Sequence, residues 1–169
     1  MMAEITVLGI GNIILRDEGF GVTVVEALQR EYDFPESVQV IDGGTLGAEL
    51  MYFIEGTKKL IVIDAISGNG EPGTFFRFDG PAVQAYFQDK ISMHELGIQD
   101  VLAALQVRDK AVAEVLVFGY QPFSLEAGVG LTPPMEALVE PAMEIVLEQL
   151  QNWQVQPQKR RSMSAGGSV

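Results

Sequence analysis

Short apolar runs that alternate with amphipathic stretches constrain the fold of this chain more than any other feature. The run Leu60–Ile63 has no polar side chain, which is typical of a strand covered on both faces. Other strands are predicted at Ile5–Gly9, Val38–Ile41, Gly73–Phe78 and Val115–Phe118. Helices are predicted over 21–32, 46–54, 81–88, 92–106 and 133–153. This alternation predicts one α/β domain over residues 1–153 with a mostly parallel sheet between helices, and a disordered tail over 154–169. The fourth strand is compatible with an antiparallel edge position.

The amino-acid composition argues against several classes of protein function. The 169 residues include no cysteine, so thiol nucleophiles, disulfides and zinc–thiolate sites are excluded. A net charge of −12 would repel a phosphate backbone, which makes nucleic acid a poor partner. No apolar run approaches the roughly 20 residues that cross a bilayer, and the first residues do not resemble a signal peptide. We therefore expect a cytoplasmic protein without membrane insertion.

Acidic residues follow the predicted strands, at the edge where α/β proteins gather their chemistry. Glu18 lies in the loop after the first strand, Asp42 ends the second and Asp64 ends the third. The only histidine, His94, precedes a predicted helix. Two carboxylates and an imidazole suit a divalent transition metal, so Glu18, Asp64 and His94 are candidate ligands.

Each of these residues also has a purely structural interpretation. Asp17 and Glu18 could favour the start of a helix, Asp42 could cap its own Gly-Gly turn, and His94 could face solvent. Asp64 is harder to explain in this way, because a charge buried beside an apolar strand needs compensation.

The glycine loop after the first strand could also indicate a dinucleotide site in a Rossmann-type oxidoreductase. Gly9 and Gly11 match the first and third glycines of that fingerprint, but Ile14 stands at the sixth position. Asp17 and Glu18 would also repel a pyrophosphate. A tight turn is the better interpretation of this loop.

Several motifs in order resemble the hydrogenase maturation proteases, which trim the C-terminal extension of the large subunit of nickel–iron hydrogenases. The motifs are Gly9–Gly21 (GIGNIILRDEGFG), Asp42–Gly47 (DGGTLG), Ile63–Ala65 (IDA), His94–Gly97 (HELG), Gly119–Glu126 (GYQPFSLE) and Leu131–Pro133 (LTP). The resemblance covers about residues 5–150. It implies a twisted, mostly parallel five-stranded sheet sandwiched between helices.

The resemblance also implies a metal triad of Glu18, Asp64 and His94. The resemblance further implies that the metal is nickel supplied by the substrate, so the isolated protein is expected to hold no metal or another divalent ion. The implied partner is the large-subunit precursor, which is cut after nickel insertion, following a cysteine-containing segment and after a His or Arg. The free protein is expected to be a monomer.

The resemblance leaves the mechanism open. Without cysteine or a Ser-His-Asp order, water is the expected attacking group. Either the metal activates it or a carboxylate acts as general base, and Asp42 and Asp64 are the candidate catalytic residues. A non-catalytic alternative is a nickel-sensing checkpoint or chaperone that binds the large subunit without cutting it.

Overall fold

The structure, a computed structural model, describes residues 3–44, 49–83, 85 and 112–161. The strands are β1 (Ile5–Gly9), β2 (Tyr32–Asp33), β3 (Val38–Asp42), β4 (Lys59–Ala65), β5 (Phe75–Asp79), β6 (Glu114–Tyr120) and β7 (Gln158–Lys159). The helices are α1 (Phe20–Glu31), α2 (Glu49–Ile54), α3 (Pro133–Glu136) and α4 (Val139–Asn152). A 3-10 turn, Arg16–Gly19, precedes α1 directly. Residues 81–83 and 85 are also helical.

Five of the described strands form one sheet in the order β3-β1-β4-β6-β5. β1 pairs in parallel with β3 and β4, and β4 pairs in parallel with β6. β5 runs antiparallel to β6 at the edge. The mostly parallel sheet is confirmed, and the fourth predicted strand occupies the antiparallel edge position.

The sheet buries apolar side chains on both faces. On one face Ile61 and Ile63 pack with α1 and α4 through Val25 and Val146. On the other face Leu60 and Val62 pack with Ile54 of α2 and with Val83. The sheet is therefore sandwiched as the sequence predicted, because a strand with no polar face needs apolar cover on both sides.

The strand predictions agree with the structure to within two residues at nearly every end, but the last helix does not. One helix over 133–153 was predicted, whereas the structure contains α3 and α4 separated by Ala137 and Leu138. Pro141 explains the break, because its ring clashes with the carbonyl of residue 137 in a continuous helix. The helix predicted over 92–106 lies outside the described residues.

The segment after α4 differs from the predicted disordered tail. β7 pairs antiparallel with β2, and the backbone N–H of Arg160 donates to Glu31 O at 2.8 Å. Arg160 Nε lies 2.9 Å from Asp33 Oδ1. Disorder is therefore the wrong prediction for residues 154–161. Main-chain hydrogen bonds hold this polar segment in place. Because such bonds do not require apolar side chains, no hydrophobic pattern in the sequence indicates them. Residues 162–169 lie outside the described part.

Candidate functional site

The carboxyl ends of β1, β3 and β4 lie side by side and define the candidate site. Gly9 of β1 is in register with Asp42 of β3 and with Ile63 of β4. The residues at the ends of these strands therefore lie along one edge of the sheet, as the sequence predicted for parallel strands.

Asp64 is a fully buried acid at this edge. It has no exposed surface and is the last residue but one of the central strand β4, which has neighbours on both sides. Strand alternation places Asp64 on the same face as Leu60 and Val62. A carboxylate in such surroundings needs compensation by a partner or a cation.

Glu18 lies in the 3-10 turn and is 8% exposed. This turn contacts β4, the strand that carries Asp64. The structure therefore brings the elements that carry Glu18 and Asp64 together, as the sequence predicted. The turn that carries Glu18 also precedes α1 directly, which agrees with the alternative that this acid favours the start of a helix.

Asp42 differs from the two buried acids. It is exposed, and its Oδ1 accepts a hydrogen bond from the backbone N–H of Gly44 at 2.9 Å. The turn-capping interpretation of Asp42 is thus confirmed. Because β1 lies between β3 and β4, Asp42 is about 10 Å from β4 across the sheet. Alternation also places it on the α1 face, opposite to Asp64, so Asp42 and Asp64 share an edge but not a face.

The third predicted ligand, His94, lies outside the described residues. Within the described ranges, no group of three or more His, Cys, Asp or Glu side chains is arranged to hold a metal. Glu18, Asp42 and Asp64 thus do not form a metal cluster by themselves.

Asp17 and Tyr120 also lie near this edge, and the sequence did not predict that either of them is buried. Asp17 is fully buried and accepts hydrogen bonds from the segment that follows β6. Tyr120 ends β6 and packs against Phe20 at 5.6 Å between ring centroids. Burial raises the pKa of Tyr120, so its hydroxyl stays protonated at neutral pH. Asp17 follows an exposed loop in sequence, and nothing in its immediate pattern distinguishes it from a helix-start acid.

The described residues also contain no helix that is both long and apolar enough to cross a membrane.

Comparison with known proteins assigns the chain to a family. The family described as HycI, hydrogenase maturation protease, matches residues 22–149. The hydrogenase 2 maturation protease of Escherichia coli (strain K12) is 45% identical over 148 residues, which cover 87% of this chain and 90% of that protein. The hydrogenase expression/formation protein HupD of Rhizobium leguminosarum bv. viciae is 39% identical over 154 residues, covering 90% of this chain and 76% of that protein.

Solved structures agree in fold. The hydrogenase maturating endopeptidase HybD from E. coli superposes with a TM-score of 0.87 at 43% identity, covering 95% of this chain and 98% of that chain. The [NiFe] hydrogenase maturation protease HycI from Thermococcus kodakarensis KOD1 gives a TM-score of 0.69 at 25% identity, covering 88% and 93%. These matches confirm the family that the ordered motifs indicated: the chain belongs to the hydrogenase maturation proteases and is an endopeptidase.

Proposed function

We propose that this endopeptidase removes the C-terminal extension of a nickel–iron hydrogenase large-subunit precursor after nickel has been inserted. In this proposal Glu18, Asp64 and His94 bind the nickel that the substrate carries. The observation that carries the proposal is the burial of Asp64 at the end of β4, beside the turn that carries buried Glu18. The family membership supplies the reaction class.

The donor set fits a substrate-borne divalent ion. Carboxylate and imidazole groups both bind nickel, and three ligands leave coordination positions for groups of the precursor. A cation bound at this place would lie against the buried carboxylate of Asp64 and attract its negative charge. Cleavage would then depend on nickel, because only a nickel-loaded precursor carries the ion that the three side chains bind.

Asp42 is proposed to act on the attacking water or to position the scissile segment. The chain has no cysteine, so a thioester intermediate is excluded. Asp42 is exposed, and its Oδ2 accepts no hydrogen bond from the described residues. A positioned carboxylate that takes a proton from water typically contributes about 10²–10⁴-fold to the rate.

The substitution Asp64→Asn tests this proposal. Asn keeps the shape of the side chain but removes the negative charge, so we expect a folded protein that no longer cuts nickel-loaded precursor. The matched control is Asp79→Asn, an exposed acid on the edge strand β5. Intact mass spectrometry of the precursor measures the product.

Three results are distinguishable in this experiment. Loss of cleavage in Asp64→Asn with full cleavage in Asp79→Asn supports the assigned ligand. Full cleavage by both variants contradicts it. A wild-type protein that binds the loaded precursor without shortening it would favour a checkpoint that does not cut. The cytoplasmic location and the monomeric state of the free protein stay predictions.

A further inference from the structure

Asp17 is a buried carboxylate to which the proposed mechanism gives no role. Its side chain has no exposed surface. Oδ2 accepts hydrogen bonds from the backbone N–H groups of Phe123 at 2.8 Å and Ser124 at 3.0 Å. Oδ1 accepts from the backbone N–H of Thr132 at 2.8 Å. The Thr132 hydroxyl lies 3.1 Å from Oδ1 and 2.9 Å from Oδ2.

These bonds join two segments that are distant in sequence. One is the 3-10 turn before α1, and the other is the segment 121–132 between β6 and α3. Backbone bonds reinforce the junction: Arg16 N donates to Gly128 O at 3.0 Å, and Asp17 N donates to Ser124 O at 3.1 Å. Gly128 N donates to Ile14 O at 2.9 Å. The 3-10 turn is thus held in place by hydrogen bonds to the segment 121–132.

The turn needs such support because it is short. It contains four residues, and Leu15, the residue before it, makes no side-chain capping bond. Short 3-10 segments have poorer hydrogen-bond geometry than α-helices and depend on their surroundings. The peptide groups of Glu18 are held on both sides: its N–H donates to Leu15 O at 3.1 Å, and a Cβ at Gly11 would overlap its carbonyl oxygen.

We propose that Asp17 is a positioning residue that fixes the backbone of Glu18, and thereby its carboxylate, for the nickel of the precursor. This inference rests on the proposed function, since it concerns one of the proposed nickel ligands. Asp17 itself faces the segment 121–132 and has no exposed surface for a substrate to contact. Ligand-supporting residues of this kind typically change metal affinity or activity by about 10–100-fold when they are replaced.

Asparagine cannot replace Asp17 in either orientation of its amide. Each carboxylate oxygen accepts at least one backbone N–H, and a backbone N–H cannot reverse its role. The amide nitrogen would therefore oppose either Thr132 N–H or the pair Phe123 and Ser124. The substitution Asp17→Asn breaks the junction with almost no change in side-chain volume.

The test compares two quantities for the full-length variant Asp17→Asn. We expect kcat/KM for nickel-loaded precursor to fall by about 10–100-fold. The dissociation constant for nickel-free precursor, which lacks the ion that Glu18 would bind, should stay unchanged. Intact mass spectrometry gives the first quantity, and biolayer interferometry gives the second.

Two control variants separate positioning from stability. Val146→Ala opens a cavity in α4, where Val146 is fully buried, and should lower the melting temperature without changing either quantity. Ser124→Ala removes only the hydroxyl that accepts Glu126 N–H at 3.3 Å and keeps the backbone N–H that Asp17 uses. It should behave as wild type.

If Asp17→Asn does not fold, the pair Thr132→Val and Thr132→Ser decides. Valine removes the hydroxyl donor but keeps the hydrogen bond from the backbone N–H of residue 132 to Asp17. We therefore expect kcat/KM to fall, but by less than the roughly 10–100-fold expected for Asp17→Asn. Serine keeps the hydroxyl and should restore the wild-type value. Equal values for the two variants would overturn the inference.

Two results for a folded Asp17→Asn variant would overturn the inference. One is an unchanged kcat/KM for nickel-loaded precursor. The other is a rise in the dissociation constant for nickel-free precursor by the same factor as the fall in kcat/KM. Loss of kcat/KM in Val146→Ala would overturn it too, because stability alone would then explain the effect. A wild-type protein that leaves the loaded precursor intact contradicts the proposed function itself. The two failures are therefore distinguishable.

Discussion

At the scale of single residues, burial separates the acids of the site into two kinds. Asp64 has no exposed surface and Glu18 is 8% exposed, whereas Asp42 is exposed. Asp42 also lies on the opposite face of the sheet from Asp64. Buried carboxylates suit a cation, while an exposed one can exchange protons with water. This difference supports the proposal that Glu18 and Asp64 bind the metal and that Asp42 transfers a proton or positions the substrate.

This division predicts different phenotypes for substitutions of Asp42 and Asp64. Asp42→Asn should slow cleavage of loaded precursor by about 10²–10⁴-fold while nickel-dependent binding remains. The amide oxygen of Asn can still accept the N–H of Gly44, so the turn is kept. Single-turnover cleavage and a pull-down with loaded precursor measure the two effects. Equal loss of binding in Asp42→Asn and Asp64→Asn would contradict the division.

The sequence predicted which acids lie at the edge, but not how each is held. Strand patterning and parallel topology were enough to bring Asp42 and Asp64 to one side of the sheet. The hydrogen bonds of Asp17 come from Phe123, Ser124 and Thr132, more than 100 residues away. No local pattern encodes such contacts, so Asp17 looked like an ordinary acid at a helix start.

At the scale of elements, the close approach of α1 to the sheet places the Glu18 turn. A Cβ at Gly21, in the first turn of α1, would overlap the carbonyl oxygen of Ile63. The helix can therefore lie directly on the end of β4 only because residue 21 has no side chain. The 3-10 turn precedes α1 without a break, so the position of the helix also sets the position of Glu18.

The substitution Gly21→Ala should push α1 away from β4. Overpacking of this kind commonly costs about 1–3 kcal/mol in the free energy of unfolding. Cleavage should fall as well, because the Glu18 turn moves with the helix. The control is Glu26→Ala on the exposed side of α1, which should change neither property. Denaturant unfolding and the cleavage assay test this, and wild-type stability of Gly21→Ala would contradict the proposed packing.

Element positions were largely predictable, since β4 and β6 contain continuous apolar runs, the other sheet strands contain several apolar residues, and α1 has a clear apolar stripe. The break between α3 and α4 was missed because the apolar periodicity continues through it, although Pro141 marks the place. The pairing of β2 with β7 was missed for a different reason. It uses two residues from each strand, which is too short for any periodicity to appear.

At the scale of the whole molecule, the proposed site and the C-terminal segment lie at opposite ends of α1. Glu18 precedes the first turn, whereas Arg160 contacts Glu31, the last residue of α1, and Asp33 two residues beyond it. A helix of 12 residues is about 18 Å long. The C-terminal segment therefore contributes to stability at a distance from the proposed chemistry.

Truncation tests this separation. Removal of residues 158–169 deletes β7 and the Arg160–Asp33 ion pair, which is half exposed or more on both sides. We expect a loss of about 1 kcal/mol and a melting temperature lower by a few degrees, with unchanged cleavage. Removal of only 162–169 is the matched control and should leave the melting temperature unchanged. A large loss of cleavage in the longer truncation would show that this segment takes part in the reaction.

The central claim is that the protein cuts only a precursor that carries nickel. Intact mass spectrometry of a nickel–iron hydrogenase large-subunit precursor, incubated with the wild-type protein with and without nickel loading, tests it most directly. We predict loss of one C-terminal peptide from the loaded precursor and an unchanged mass for the nickel-free precursor. Equal shortening of both precursors would contradict nickel recognition, and no shortening of either would contradict the proposed processing role.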